Sequence, residues 1–180
     1  MKIQQYLLVL LEVLFPYMLN ADVTEDIHFS HIGLEEGLSH STIFAINQDK
    51  GGNLWFATYD GVNKYDGYNF IVYRHQYTNP KSIASDISRC ITMDDSDRIW
   101  IGTREGLSLY NHYKDEFSNY YYKRNGLNVA VTSIIPIKKD WLMLGTAEGI
   151  LLFDKERVFP FGYIILFFAW IAAGSFGTPG

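Results

Sequence analysis

Apolar and polar positions alternate along most of this chain in short runs, and from Ser41 onward the runs come round in cycles. An apolar run, "STIFAIN" (41–47), leads through a polar turn to a tryptophan-centred run, "NLWFAT" (53–58), whose threonine enters a tight tip, "YDG" (59–61). "VNKYD" (62–66) returns from the tip and "NFIVYRH" (69–75) follows. The second cycle reads "ISRCITM", "RIWIGT", "REG", "LSLYN" and "EFSNYYYK", and the third "VTSIIPI", "WLMLGT", "AEG" and "ILLFD". Period-two alternation over such lengths, bounded by Gly, Asn and Asp, predicts β-strands, and the tips predict hairpins in which Gly61 and Gly106 accept the positive φ that other residues resist. No cycle shows helical spacing.

The cycles keep register. Trp55, Thr58, Gly61 and Tyr65 stand 45 residues before Trp100, Thr103, Gly106 and Tyr110, and Thr146, Gly149 and Phe153 lie 43 beyond Thr103, Gly106 and Tyr110, with Met143 where the tryptophan was. A period in the forties with four short strands per unit predicts an all-β chain of propeller blades, each with a hydrophobic face that only its neighbours can cover. The predicted organisation is blade 1 over 41–85, blade 2 over 86–130 and a partial blade 3 over 131–157. Residues 22–40 form a lead-in in which "IHFSHIG" (27–33) is read as a closing strand.

The ends differ from the middle. Met1-Lys2 is a short positive start, Tyr6 to Phe15 is mostly apolar, and small Ala21 precedes a polar stretch, so residues 1–21 are read as a signal peptide. No charged residue follows Arg157; residues 158–180 form an apolar tail, either a candidate membrane segment or a frameshifted end, and its uninterrupted apolar stretch, Tyr163 to Ala173, is short for a span.

Composition narrows the chemistry. The 180 residues, 48% hydrophobic and 16% aromatic, suffice for a core. A net charge of -5 without a basic run leaves no footprint for a phosphate backbone, so nucleic-acid binding is not expected. The single cysteine, Cys90, excludes an internal disulfide and is read as a core residue. "DDSD" (94–97) lacks the ligand spacing of a calcium loop and is read as a solvated turn whose aspartates cap backbone amides. Of the five histidines only His28 and His31 are close, and a strand would send them to opposite faces, so no metal site is expected. Asp60 and Glu105 at successive tips reflect turn preference, not an acid–base pair, and no catalytic residue or cofactor is expected. Trp55 and Trp100, mid-strand in each unit, are read as inter-blade packing in preference to sugar-stacking platforms.

The frame "I-x-x-D-x-x-G-x-L-W-x-G-T-x-x-G-L-x-x-Y-D", with "EEGLSHSTI" ahead of the first blade and "YDGYNFIVYRH" within it, resembles the two-component regulator propeller repeats of hybrid two-component sensors, from Ile27 to about Asp154. The resemblance implies an exported region of fourteen repeats arranged as two seven-bladed propellers. A Y_Y_Y immunoglobulin-like domain, a membrane helix, a histidine kinase, a receiver and an AraC-type DNA-binding domain follow. Such sensors detect oligosaccharides released from polysaccharides. About three blades of one incomplete seven-bladed ring are covered here, Ala57 replaces the glycine of the Gly-Thr pair in blade 1, and "KKD" replaces the polar turn of blade 3. After "FDKER" the family pattern would supply a fourth strand and more blades, where this chain has its apolar tail.

The function implied is the ligand-sensing propeller of a periplasmic, inner-membrane-associated sensor, with remaining blades and a homodimer as partners and the tail as a candidate membrane contact. A truncated remnant, a dimerisation module and a glycan-active enzyme are the alternatives. Loops joining second to third strands and blade to blade emerge on one face, which would carry Tyr59, Asp60, Arg104 and Glu105, with His40 and Asn128 near the inter-blade turns. Tyr and Arg suit sugars by stacking and bidentate hydrogen bonding, so Tyr59, Arg104, His40 and Asn128 are the candidate ligand-binding residues. Fusing residues 1–21 to a reporter active only outside the cytoplasm should give signal; silence would count against export.

Overall fold

The computed structural model describes residues 28–138, 140–155 and 165–166, so the predicted signal peptide and most of the apolar tail lie outside the described residues. His28–His31 falls in a separate N-terminal unit, and the sheets belong to the unit from Ile32 onward. No helix among the described residues is long and apolar enough to cross a membrane.

The described residues form three four-stranded antiparallel sheets and one two-stranded hairpin. The first holds β1 (Ile43–Gln48), β2 (Leu54–Thr58), β3 (Val62–Tyr65) and β4 (Phe70–Tyr73) in chain order. The second holds β5 (Ser88–Met93), β6 (Ile99–Thr103), β7 (Gly106–Asn111) and β8 (Glu116–Tyr120). A small hairpin, β9 (Lys123–Arg124) and β10 (Leu127–Asn128), turns through Asn125 and Gly126, both at positive φ, and sequence reading did not anticipate it. The third sheet holds β11 (Val131–Lys138), β12 (Trp141–Thr146), β13 (Gly149–Asp154) and β14 (Ile165–Leu166). The innermost strands β1, β5 and β11 pack against one another in sequence. This is the meander of a propeller blade repeated three times.

One expectation needs correction. The third blade does have a fourth strand: Leu151 and Leu152 of β13 pair with Leu166 and Ile165 of the tail. The described part of the segment read as a closing strand, residues 28–33, lies outside the described strands, and Phe29 is 93% exposed. A strand exists through its ladder, and the last blade that such a segment would complete is not among these sheets. His28 and His31 are therefore exposed and outside any strand, not split across its two faces.

The recurring residues hold the interfaces and the tips. Trp55 and Trp100 are fully buried. Trp55 stacks on Tyr73 of its own outer strand (5.9 Å, 10°) and meets Tyr110 of the next blade at 4.8 Å. Trp100 repeats this with Tyr120 (6.1 Å) and Phe153 of the third blade (5.5 Å, edge-on). The third-strand aromatic thus recurs because it covers the preceding blade's tryptophan. Tyr73 and Tyr110 both donate to Asp115 Oδ1 at 2.7 Å, tying the outer strand of blade 1 to the loop that follows β7. Threonine recurs because its hydroxyl clamps the hairpin: Thr58, Thr103 and Thr146 Oγ1 donate to the carbonyls of Gly61, Gly106 and Gly149 at 3.0, 3.0 and 2.8 Å. The same oxygens accept from the amides of Asp60, Glu105 and Glu148.

Blade 2 is covered on both sides, and all five residues of β6 are buried. Leu107 and Phe117 are buried and Leu109 half-buried. Blade 1 exposes Ile46, and blade 3 exposes Ile135, Ile137 and Ile150 on the faces that lack a neighbour among these sheets.

Replacement of glycine by Ala57 is matched across the ladder. The facing pairs are Ala45 with Ala57, Cys90 with Gly102 and Ser133 with Gly145. A Cβ at Gly102 would strike Cys90 Sγ and come within 2.8 Å of the Val131 carbonyl oxygen, and one at Gly145 would strike Ser133 Oγ. Blade 1 accommodates the alanine because its partner is also alanine.

The "DDSD" turn caps amides as expected, Asp94 Oδ1 accepting from Ser96 and Arg98 N–H, but Asp94 is not solvated. Its Oδ2 accepts from Trp100 Nε1 at 3.0 Å, Arg98 Nε at 2.7 Å and Lys155 Nζ at 3.3 Å, the last a buried ion pair from blade 3. The turn folds inward because an indole N–H buried between blades has to keep an acceptor. Burial would push the Asp94 carboxyl up, but the bonds from Trp100 and Arg98 outweigh it and hold it at about 2. A folded-state value depressed below the ordinary 3.8 gives stability that is complete above that pH and lost as pH falls through about 2. Asp94→Ala should therefore cost about 3 kcal/mol at pH 7, since it strands a buried lysine and an indole N–H. In thermal or urea unfolding that difference should shrink by roughly 2 kcal/mol on acidification to pH 2. A pH-independent difference would contradict this role.

Candidate functional site

The hairpin tips and the inter-blade connector do share a face. Gly61 N–H donates to the Asp86 carbonyl at 2.6 Å and Arg104 N–H to the Ile87 carbonyl at 2.9 Å, so connector 74–87 is fastened to the tips of both blade 1 and blade 2. His75 secures its other end, through its amide to Asp86 Oδ1 (2.6 Å) and its Nδ1 against the Ile83 carbonyl (2.8 Å).

The predicted ligand-binding residues fall into two groups on this face. Arg104 and Asn128 line a cleft of about 450 Å³ with His75, Tyr77, Asp86, Glu105 and Tyr121. Asn128 Nδ2 donates to Glu105 Oε2 at 3.0 Å, while Asn128 Oδ1 is buried with no hydrogen-bond partner. The Arg104 side chain is exposed and makes no ion pair among the described residues. Tyr77 is almost wholly exposed and edge-on to His75 at 4.9 Å, and Tyr121 is 44% exposed. His40 and Tyr59 instead meet each other at 5.6 Å, with Phe44 4.9 Å from Tyr59.

Chemically, the cleft offers a multidentate cation, two carboxylates with spare lone pairs and two aromatic side chains. That inventory fits a hydroxyl-rich molecule. Sequence reading missed His75, Tyr77, Asp86 and Tyr121. The available signal was the length of connector 74–87, longer than a blade-to-blade turn needs and polar throughout its first half.

The other tip acid, Asp60, is occupied. Arg74 donates to its two oxygens at 2.9 and 2.8 Å and holds its carboxyl below the ordinary range. A second cleft, of about 400 Å³, opens on the opposite face between blades 1 and 2, lined by Asp49, Arg98, Tyr110 and His112 among others. Asp49 there accepts from Trp55 Nε1 at 2.9 Å and Tyr110 covers that tryptophan, so the walls of this cleft are the interface itself. Among the described residues no group of three or more His, Cys, Asp or Glu could hold a metal ion.

Recurring tips on an array of four-stranded blades, with variable residues gathered above them, define propeller architecture. The two-component regulator propeller model matches residues 37–60 and 82–105, the strands and tips of the first two blades. The first two blades thus carry two-component regulator propeller repeats. It is 32% identical to the extracellular domain of a hybrid two component system from B. thetaiotaomicron, with a TM-score of 0.66, over 77% of this chain and 20% of that one. The extracellular domain of a one component system from the same organism, 20% identical with a TM-score of 0.59, covers 73% of this chain and 19% of its own, and shows the fold. Histidine kinase P4 of Formosa agariphila is 47% identical over 49 residues, 27% of this chain and 4% of that protein. The chain thus spans about a fifth of the solved domains it matches.

Cys90 lies on β5 against Gly102, and burial pushes its thiol up to about 12. Alkylation by iodoacetamide at pH 8 should be slow in the native protein and fast in urea. Equal rates would contradict a core role for Cys90.

Proposed function

We propose that these blades form part of the ligand-sensing propeller of a hybrid two-component sensor, and that the ligand is an oligosaccharide. The observation that carries the reading is the tip-face cleft, which Arg104, Asn128, Asp86 and Glu105 line together with Tyr77 and Tyr121. Sugar hydroxyls supply donors to the carboxylate oxygens, the guanidinium donates to ring or hydroxyl oxygens, and the tyrosines lie against the ring faces. The extracellular domains among the similar structures support a periplasmic setting. In it the blades would belong to a longer, inner-membrane-associated homodimer that signals to polysaccharide-utilisation genes. Catalysis is not part of this role.

Calorimetry of the native full-length ectodomain against a glycan panel tests it. One oligosaccharide class should bind, and Arg104→Ala or Tyr121→Ala should weaken that binding more than tenfold, as expected for an anchoring arginine or aromatic. Binding unchanged in both variants would remove the cleft from the site, and no binding across the panel would remove the oligosaccharide.

A further inference from the structure

Each innermost strand breaks register at the same level, and β11 breaks it a second time between Pro136 and Lys138. The shared irregularity falls between Ile43 and Ala45 in β1, between Ser88 and Cys90 in β5, and between Val131 and Ser133 in β11. The residues passed over are Phe44, Arg89 and Thr132, spaced 45 and 43 apart like the tips. A bulge takes one residue out of the ladder and re-aims its side chain, and a bulge repeated in three blades is a constant feature of the backbone. The side chains it carries are not constant. The clamping threonine is kept in all three blades and the tryptophan in two, whereas the bulge positions hold an aromatic, a cation and a hydroxyl. Fixed geometry with changing chemistry is what a recognition position requires and a packing position does not.

In blades 1 and 2 the bulge residues meet. Arg89 Cζ lies 4.8 Å from the centroid of the Phe44 ring and 5.8 Å from that of Tyr59, the exposed tip residue, which in turn stands 5.6 Å from His40. A guanidinium over aromatic rings keeps its in-plane N–H donors for other partners. Arg89 has no ion pair among the described residues, although the chain holds 20 acidic residues against 15 lysines and arginines. The tip acid Asp60 is bound by both donors of Arg74. A guanidinium set over two aromatic rings and free of any ion pair among the described residues can take an oxyanion in two parallel hydrogen bonds.

We propose that Arg89, carried on the bulge of β5 and laid on Phe44 and Tyr59, is a receptor for an oxyanion, the carboxylate or sulfate group of a ligand lying along the innermost strands. The site shares no residue with the Arg104 cleft and does not rest on the reading of that cleft. Thr132, the corresponding residue of blade 3, gives its hydroxyl proton to the Gly145 carbonyl at 3.1 Å, so the charge of this row comes from blade 2.

The test is an NMR titration of the ¹⁵N-labelled full chain with sodium methyl sulfate and, separately, sodium glucuronate, following the Arg89 Nε–H resonance. A saturable shift is expected with at least one anion, and the anion that saturates at the lower concentration names the group. Arg89→Gln should abolish it, Arg89→Lys should weaken it about tenfold by losing the bidentate edge, and Arg104→Gln should leave it unchanged. Unaltered dispersion of the remaining amide signals identifies variants that keep their fold. No saturable shift with either anion, or a shift that persists in folded Arg89→Gln or vanishes in Arg104→Gln, would overturn the proposal. Loss of oligosaccharide binding in the cleft variants alone would bear on the cleft and leave this site standing.

Discussion

A buried indole N–H must keep a partner, and this molecule is organised around meeting that requirement between blades. Trp55 and Trp100 each lie in an interface too dry to offer water, and each donates to an aspartate six residues earlier, Asp49 or Asp94, which the first turn of the blade folds inward. The carboxylate that accepts the indole also fixes its own turn, through the amides of Asn53 in blade 1 and of Ser96 and Arg98 in blade 2. Local turn and long-range packing are thereby one event, and losing the acceptor costs both. The ring then presents its faces to an outer-strand tyrosine and to the third-strand aromatic of the next blade, which makes each blade the cover of the one before it.

Blade 3 departs from this rule, and the departure is informative. Met143 occupies the tryptophan position, so its own turn has no indole to serve and shortens to "KKD". Lys155 donates its amide to the Asp140 carbonyl at 2.7 Å and sends its ammonium back to Asp94. The second and third blades are therefore joined by an aromatic contact and a buried charge at the same carboxylate. A rigid scaffold of this kind leaves the tips, connectors and bulges free to vary in side chain without moving in space, which is the property recognition needs.

Much of the fold was legible because its determinants are local and repeat. Thr, Gly and Trp in register at 45 residues announce the same hairpin and the same packing in each blade, and the hydrogen bonds at all three tips agree. What was not legible depends on partners distant in the chain. Asp94 reads as a solvated turn residue until Lys155, 61 positions away, is placed against it. The fourth strand of blade 3 is hidden in an apolar tail whose composition gives no pairing partner, and the Asn125-Gly126 hairpin was passed over although its dipeptide is a turn signal. At the candidate site Arg104 and Asn128 were found from tip and turn positions, but their neighbours His75, Tyr77 and Asp86 lie on a connector with no repeat to mark it. Arg89 carries no sequence signal at all, since a bulge becomes visible only when the ladder is drawn.

The central claim is that the recurring aromatics act across blades, and a double-mutant cycle on Trp100 and Phe153, followed by urea unfolding, measures that directly. Trp100→Leu and Phe153→Leu lie 53 positions apart in sequence but in edge-on contact at 5.5 Å. The account predicts that their destabilising effects fail to add, with a coupling of about 1 kcal/mol in a single cooperative transition. Additive effects, or separate transitions for the two sites, would contradict it.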